Sequence, residues 1–475
     1  MSAPRTALPA ALVCLTLAVA VGGCTAGPPP APEKGAIVLA TGSDLSSSGV
    51  RRDLIRDWER RTGRAVRIVT LPDTADGQRS QLLAAGQSGN SGYDVLNIDV
   101  AWTAEFAEAG VIRPWGTGLD GDFLGSVVKT AEHGGRIWGV PFNTDAGLLY
   151  YRKDILHDYG YDQPPSNWGE LKNMAAQVAA AYNRKAAKAA NDSTAAEAGK
   201  DGKAAEGTAS GGAVPKMYGM VAQLRPYEGL TVNTLEAAWA NGGDPEATSF
   251  TKGEQVGALQ QGVADIKDRL DSIMPHEATA MDETESRRWF ADGRALFMRN
   301  WPVEYASVAG KLKAGVQFDV AELPGRPTDG KRMSVLGGQN LAISADSTRP
   351  DGARALIEAL TGPAAERCLL ERGFAATRDS AYREAGKAPG CPLAPAAADR
   401  GEPGATRPPA DGEPPYTRTL YAALRAAEPR PRSAHYQTFS KVVQVRVSEY
   451  LGSRGGTAIA DALAREADEA LSGRG

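Results

Sequence analysis

The sequence predicts an α/β fold divided into two lobes, and two observations carry that prediction. In the first hundred residues of the mature region, short apolar runs alternate with amphipathic stretches, the pattern of a mainly parallel sheet covered by helices on both faces. Further on, Ile137 to Asp154 reads as two buried strands joined end to end through a polar break at Asn143-Thr144-Asp145, as expected where a chain leaves one compact half for another. The chain has 475 residues, enough for two or three domains.

Taken in order, Gly35 to Thr41 is an apolar strand, and Arg51 to Arg61 is a helix with Leu54, Ile55 and Trp58 on one face, stopped at Gly63. Val66 to Thr70 alternates as a second strand, a helix covers Gln78 to Ala85, and Asp94 to Ile98 is a third strand ending in Asp99. Trp102 to Ala109 is helical up to Gly110. Pro141 lacks an amide donor, so its strand belongs at a sheet edge or end. Leu148 to Arg152 continues as a strand beyond Gly147, and Asp154 starts a helix through Tyr159. Asn167 and Glu170 have the spacing of a capping box for a helix to about Tyr182. From Arg184 to Ala213 large apolar residues almost vanish, which predicts a disordered insertion. Strands follow at Met217 to Ala222, Ala295 to Arg299, Phe318 to Glu322 and Asn340 to Ser344, the last two expected to return to the first lobe. Helices are expected at Thr231 to Asn241, Glu254 to Asp271 and Glu283 to Asp292. More follow at Asp351 to Leu360, Pro363 to Arg372, Thr417 to Ala427, Tyr436 to Leu451 and Thr457 to Ser472, with a Pro/Gly-rich loop at Glu384 to Pro415. There is no internal repeat.

The composition, 42 % hydrophobic and 23 % charged with net charge −4, is that of a globular protein and gives no reason to expect a nucleic-acid partner. Residues 1–24 read as a targeting segment: Arg5, a short apolar run Leu8 to Ala20 broken by Pro9, then Val21-Gly22-Gly23-Cys24 as a lipobox. Cys24 would be diacylated, and the proline-rich 25–34 would be a linker from the outer face of the cytoplasmic membrane. Cys14 leaves with the signal peptide, so Cys368 and Cys391 remain as an even pair in an oxidising compartment; the alternatives are a disulfide and two unrelated thiols.

The run Gly139-Val140-Pro141-Phe142 to Gly147-Leu148-Leu149-Tyr150-Tyr151-Arg152-Lys153-Asp154 resembles the first interlobe crossover of the extracellular solute-binding proteins of ABC importers, in the large maltose/trehalose-type sugar branch. Asp94 to Trp115, Phe290 to Pro302, Val335 to Ser344 and the lipobox match as well, so the resemblance spans nearly the whole mature chain. It implies a two-lobe periplasmic-binding-protein-like fold with a hinge cleft, with lobe 1 at 35–142 and 316–345 and lobe 2 at 143–315 and 346–475. It implies a monomeric, lipid-anchored, non-enzymatic receptor that passes a disaccharide or oligosaccharide to membrane permease subunits and needs no cofactor or metal.

A sugar calls for carboxylates and amides that engage neighbouring hydroxyls and for aromatic faces over its C–H surface. Asp99 with Trp102 is the strongest such pair in the first lobe, unless Asp99 merely caps the next helix. Ser43 and Asp44 end the first strand, in contact with ligand or in a plain turn. Asn143 and Asp145 lie on the crossover; Tyr150 and Tyr151 point to opposite faces, so at most one serves a cleft. Trp301 could stack on a sugar ring or fill a core, and Gly337 and Gly338 would let backbone approach a ligand closely or form a tight turn. Glu236 and Arg430 enter through the resemblance to trehalose-type members, with Arg432 a competitor for the second. Gly116, Gly118 and Gly121 spell a dinucleotide fingerprint but follow Pro114-Trp115 rather than a long strand, and read as a loop. His133, His157, His276 and His435 have no ligand spacing. The rival readings are a receptor for a polyol phosphate, polyamine or peptide, and a secreted glycosidase built on two facing carboxyls.

Overall fold

The computed structural model describes residues 35–43, 49–72, 74–116, 118–198, 215–387, 390–393, 415–453 and 457–474. The signal peptide, Cys24, the 25–34 linker, Asp44 and the 199–213 part of the expected insertion lie outside the described residues.

The chain begins with β1 (Ile37–Thr41), α1 (Val50–Thr62), β2 (Val66–Thr70), α2 (Ala75–Gln87), β3 (Val95–Asp99), α3 (Thr103–Glu108) and α4 (Gly125–Ala131). The small hairpin β4 (Glu132–His133) and β5 (Arg136–Ile137) leads into β6 (Val140–Ala146) and β7 (Leu148–Tyr151). Then come α5 (Lys153–Asp158), α6 (Trp168–Ala198), β8 (Tyr218–Val221), α7 (Glu228–Ala240), α8 (Gln255–Ser272), α9 (Glu283–Ala291), β9 (Ala295–Asn300), α10 (Tyr305–Ala309), β10 (Asp319–Glu322) and β11 (Ser334–Ile343). The chain closes with α11 (Pro350–Leu360), α12 (Pro363–Glu371), α13 (Asp379–Arg383), α14 (Thr417–Ala426), β12 (Ala427–Pro429), α15 (Tyr436–Gly452) and α16 (Thr457–Leu471).

Two sheets define the two lobes. In the first, β1 lies between β2 and β3, all parallel, and β11 runs antiparallel to β3 and to β6, with β12 beside its start. β6 pairs with β11 only, so Pro141 occupies an edge strand where no ladder donor is missed. The second sheet has the order β10-β7-β9-β8. The chain therefore changes sheets at Gly147, between β6 and β7, and again between β10 and β11.

Four expectations are corrected. The strand at 319–322 does not return to the first lobe: it pairs with β7 in the second sheet, and β11 is the returning strand. Helices α11 and α12, assigned to the second lobe, pack on the first sheet, where Leu356, Ile357, Leu360 and Leu369 share a core with Ile37, Leu39 and Trp58. An apolar helix face does not say which sheet it covers; following directly after β11, both helices meet the first. The polar triple 143–145 is no break either, because β6 runs through it and the break falls at Gly147. Residues 184–198 extend α6 instead of being disordered, since an Ala- and Lys-rich run has the propensity to continue a helix without burying a face.

Asn167 Oδ1 accepts from Glu170 N at 2.9 Å while Glu170 reaches back to Ser166 N at 2.7 Å, so the start of α6 is capped reciprocally. Cys368 and Cys391 form a disulfide, and Glu371 Oε2 accepts from Cys391 N at 2.7 Å beside it.

Candidate functional site

Three strands of the first sheet bring the polar residues of the crossover together. Asp99 on β3 is opposite Gln339 on β11, and Gln339 is opposite Asn143 on β6; Gly337 is opposite Asp145. Directly opposed residues share a face of a sheet, as do residues two apart on one strand. Asp99, Gln339, Asn143 and Asp145 therefore project from one face, around a floor at Gly337 that has no side chain. A β-carbon at Gly337 would lie 3.2 Å from Asp145 Cβ and 3.3 Å from the Trp301 ring, so the indole, which follows β9 of the second lobe, overhangs this floor. Gly338 has φ +117°, and a β-carbon there would sit 2.2 Å from the Asn143 carbonyl oxygen; only glycine fits this contact.

The indole is fixed on three sides. Trp301 Nε1 donates to Glu283 Oε1 at 3.2 Å, the Trp301 carbonyl accepts from Tyr150 Oη at 2.7 Å, and the Arg299 guanidinium lies 3.9 Å from the ring centroid. The floor is less satisfied. Asn143 is buried, and among the described residues its Oδ1 has no hydrogen-bond partner, a costly arrangement for a buried acceptor unless something else supplies a donor. Burial pushes the Asp145 carboxyl up to about 7; the nearby Arg299 charge opposes this and Asp99 adds to it.

Asp99 accepts from Ala101 N at 2.8 Å and from Arg430 Nη2 at 2.5 Å. Arg430 donates through Nη1 to Glu228 Oε1 at 2.7 Å, so one buried guanidinium joins a first-sheet strand end to the start of α7 in the second lobe. Its Nε is buried without a partner among the described residues. Beside Arg430 opens a groove of about 510 Å³, lined from the first lobe by Lys129, His133 and, on β12, Glu428, and also by Glu246 and by Arg432 just beyond β12.

The other expected residues fall elsewhere. Trp102 is 5 % exposed and stacks on Phe106 within the first-lobe core, so it supports the row rather than lining it. Ser43 is exposed at the end of β1. Glu236 is taken up internally: both its oxygens bind Arg299, at 2.6 and 3.0 Å, and Oε1 also accepts from Ser334 Oγ and Val335 N, each at 3.2 Å. Tyr150 and Tyr151 are both buried, and Arg432 donates to the Lys129 carbonyl at 3.3 Å at the groove wall. Sequence reasoning missed Gln339 and Glu228. Gln339 had a signal, since it lies two residues from Gly337 on the same strand face; Glu228, in the first turn of a helix, had none. Among the described residues no cluster of His, Cys, Asp or Glu could hold a metal ion.

A sheet-to-sheet crossover floored with acids and amides and overhung by an indole from the opposite lobe is the arrangement of a solute receptor. The profile described as "Bacterial extracellular solute-binding protein" matches residues 53–390, and the chain belongs to that family. It is 30 % identical over 319 residues to a "Probable ABC transporter-binding protein" of Deinococcus radiodurans, covering 64 % of this chain and 67 % of that one. It is 26 % identical over 338 residues to a "Mannitol-binding protein" of Pseudomonas aeruginosa, covering 68 % and 69 %. Among solved structures, maltose-bound T. maritima MalE3 superposes with a TM-score of 0.69 at 27 % identity, over 92 % of this chain and 98 % of that one.

Proposed function

We propose that the chain is the substrate-binding receptor of an ABC importer, held at the outer face of the cytoplasmic membrane by lipid on Cys24, and that it captures a disaccharide or oligosaccharide of maltose or trehalose type between its lobes. The carrying observation is the row itself. The unpartnered Asn143 Oδ1 needs a donor and the half-buried Asp145 carboxyl lacks a hydrogen-bonding partner among the described residues, while the Trp301 face stands opposite them. Sugar hydroxyls supply the donors and a pyranose C–H face suits the indole. Asp99, Gln339, Gly337, Gly338 and Arg430 complete the site, with Ser43 at its margin. No bond is broken; closure of the lobes buries the ligand and presents a surface to the permease.

The similarity to maltose-bound and mannitol-binding proteins supports a polyhydroxylated ligand, and the second leaves a linear polyol as the alternative reading. Calorimetric titration of the form lacking residues 1–24 with maltose, trehalose, maltotriose and mannitol tests the proposal. Saturable binding of one of the three saccharides, with the sugar recovered intact, is expected. Binding of mannitol alone selects the second reading; hydrolysis, or heat from none of the four, overturns the proposal.

A further inference from the structure

Residues 50–67 hold seven arginines against three acids in a chain whose net charge is −4. Arg52, Arg56 and Arg60 recur every fourth residue on the exposed side of α1, opposite the buried Val50, Leu54 and Trp58, and Arg61 and the exposed Arg64 continue the stripe past its end. Two of the acids are committed elsewhere: Asp53 binds Arg372 Nη1 at 2.7 Å and Glu59 accepts from Val66 N at 2.7 Å; the third, Asp57, lies within the stripe and is shared by Arg60 and Arg61, at 3.0 and 2.8 Å, one carboxylate against two guanidiniums, so the face keeps a net positive charge. Neighbouring α11, with Asp351, Arg354 and Glu358, brings in no net positive charge, and with Arg349 before it the balance is even. Alongside lies β2, an edge strand, with Ile68 39 % exposed and its side chain among the few large apolar ones so placed.

This face lies where the chain enters the fold. Ile37 N donates to Ala65 O at 2.9 Å, so β1 starts between Arg64 and Arg67. With lipid on Cys24, a dozen residues separate the acyl chains from Ile37, a number that sets a covalent limit of roughly 40 Å. A tether that short keeps this end of the first lobe close to the bilayer, within reach of its surface charge and at high effective concentration.

We propose that the arginine face of α1 and the adjoining β2 edge form a docking surface for anionic phospholipid headgroups, which orients the tethered receptor on its membrane. This rests on the lipid-anchored reading above. Arginine suits the role because its planar fork pairs bidentately with phosphate. The test is flotation of the form lacking residues 1–24 with vesicles of phosphatidylcholine alone or containing phosphatidylglycerol, at low and high salt. Association with the anionic vesicles only, lost at high salt and at least tenfold weaker in R56Q/R60Q/R61Q/R64Q, is expected. A control variant, R418Q/R425Q/R465Q, removes exposed arginines from α14 and α16 and should keep the association. Equal recovery with both vesicle types, no recovery with either, or equal losses in the two variants overturns the proposal. Sugar titration of the four-arginine variant should match the unmodified protein; if neither binds sugar, the receptor reading fails independently of the membrane one.

Discussion

Replacing Glu236 tests whether this residue holds the fold together or touches the ligand. Its carboxylate is 4 % exposed and its partner Arg299 is 1 % exposed, with two contacts between them at 2.6 and 3.0 Å. The same oxygen accepts from Ser334 Oγ and Val335 N at the start of β11, and Ser334 Oγ in turn accepts from Gly147 N at 2.6 Å. One buried ion pair of the second lobe therefore ties down both points where the chain changes sheets. Removing one partner of such a pair leaves an uncompensated buried charge, at a cost of about 3–5 kcal/mol. For a cooperative body of roughly 440 residues, an unfolding entropy of about 2.1 cal/mol/K per residue converts this into a fall in Tm of about 3–5 °C for Glu236→Gln. Arg299→Met alone should fall similarly, and the double variant Glu236→Leu with Arg299→Met should recover most of the loss, because a well-packed apolar replacement of both partners is close to neutral. Differential scanning calorimetry of the three variants, paired with sugar titration, is the assay. A Tm within 1 °C of the unmodified protein together with lost sugar binding would return Glu236 to ligand contact and refute this account.

Other outcomes follow from the same geometry. The folded Asp145 carboxyl titrates near 7, above its usual range, so the folded protein holds a proton there that the unfolded chain releases near pH 4, and stability falls as pH rises between the two. A hydroxyl donating to Asp145 favours the ionised form, so sugar affinity should rise about tenfold from pH 6 to pH 8, with proton release detectable in buffers of different ionisation enthalpy; Asp145→Asn should flatten the profile. Gly338→Ala must push a methyl into the Asn143 carbonyl at a φ of +117°, and a loss of more than about 3 kcal/mol, read as poor soluble yield or a lowered urea midpoint, is expected. Cys368→Ser with Cys391→Ser opens a loop with a sequence separation of 23, which should lower stability by about 3 kcal/mol in the chain-entropy model without altering sugar affinity.

What could be read from the chain follows from which forces are local. Apolar periodicity, glycine stops and the Pro141 edge strand located most elements to within a few residues, because burial and backbone chemistry act over short spans. Sheet membership was not legible: the 319–322 strand and the helices at 350–371 have the same apolar faces whichever sheet they meet. Site residues divided the same way. Asp99, Asn143, Asp145 and Trp301 stand at strand ends or on the crossover, where position in the chain alone marks them out. Glu236 looked like them in sequence, but its fate depended on Arg299, 63 positions away. Gln339, two residues from Gly337, offered a sequence signal, and its pairing with Asp99 and Asn143 on either side is what places it in the row.

The most direct test of the crossover row is the Asn143→Ala variant, measured for both sugar affinity and Tm. Because Asn143 Oδ1 has no partner within the described protein, its removal should leave Tm unchanged or slightly higher while weakening the preferred sugar by tenfold or more. Unaltered affinity, or a fall in Tm with affinity intact, would show that Asn143 is a structural residue and that the ligand is held elsewhere.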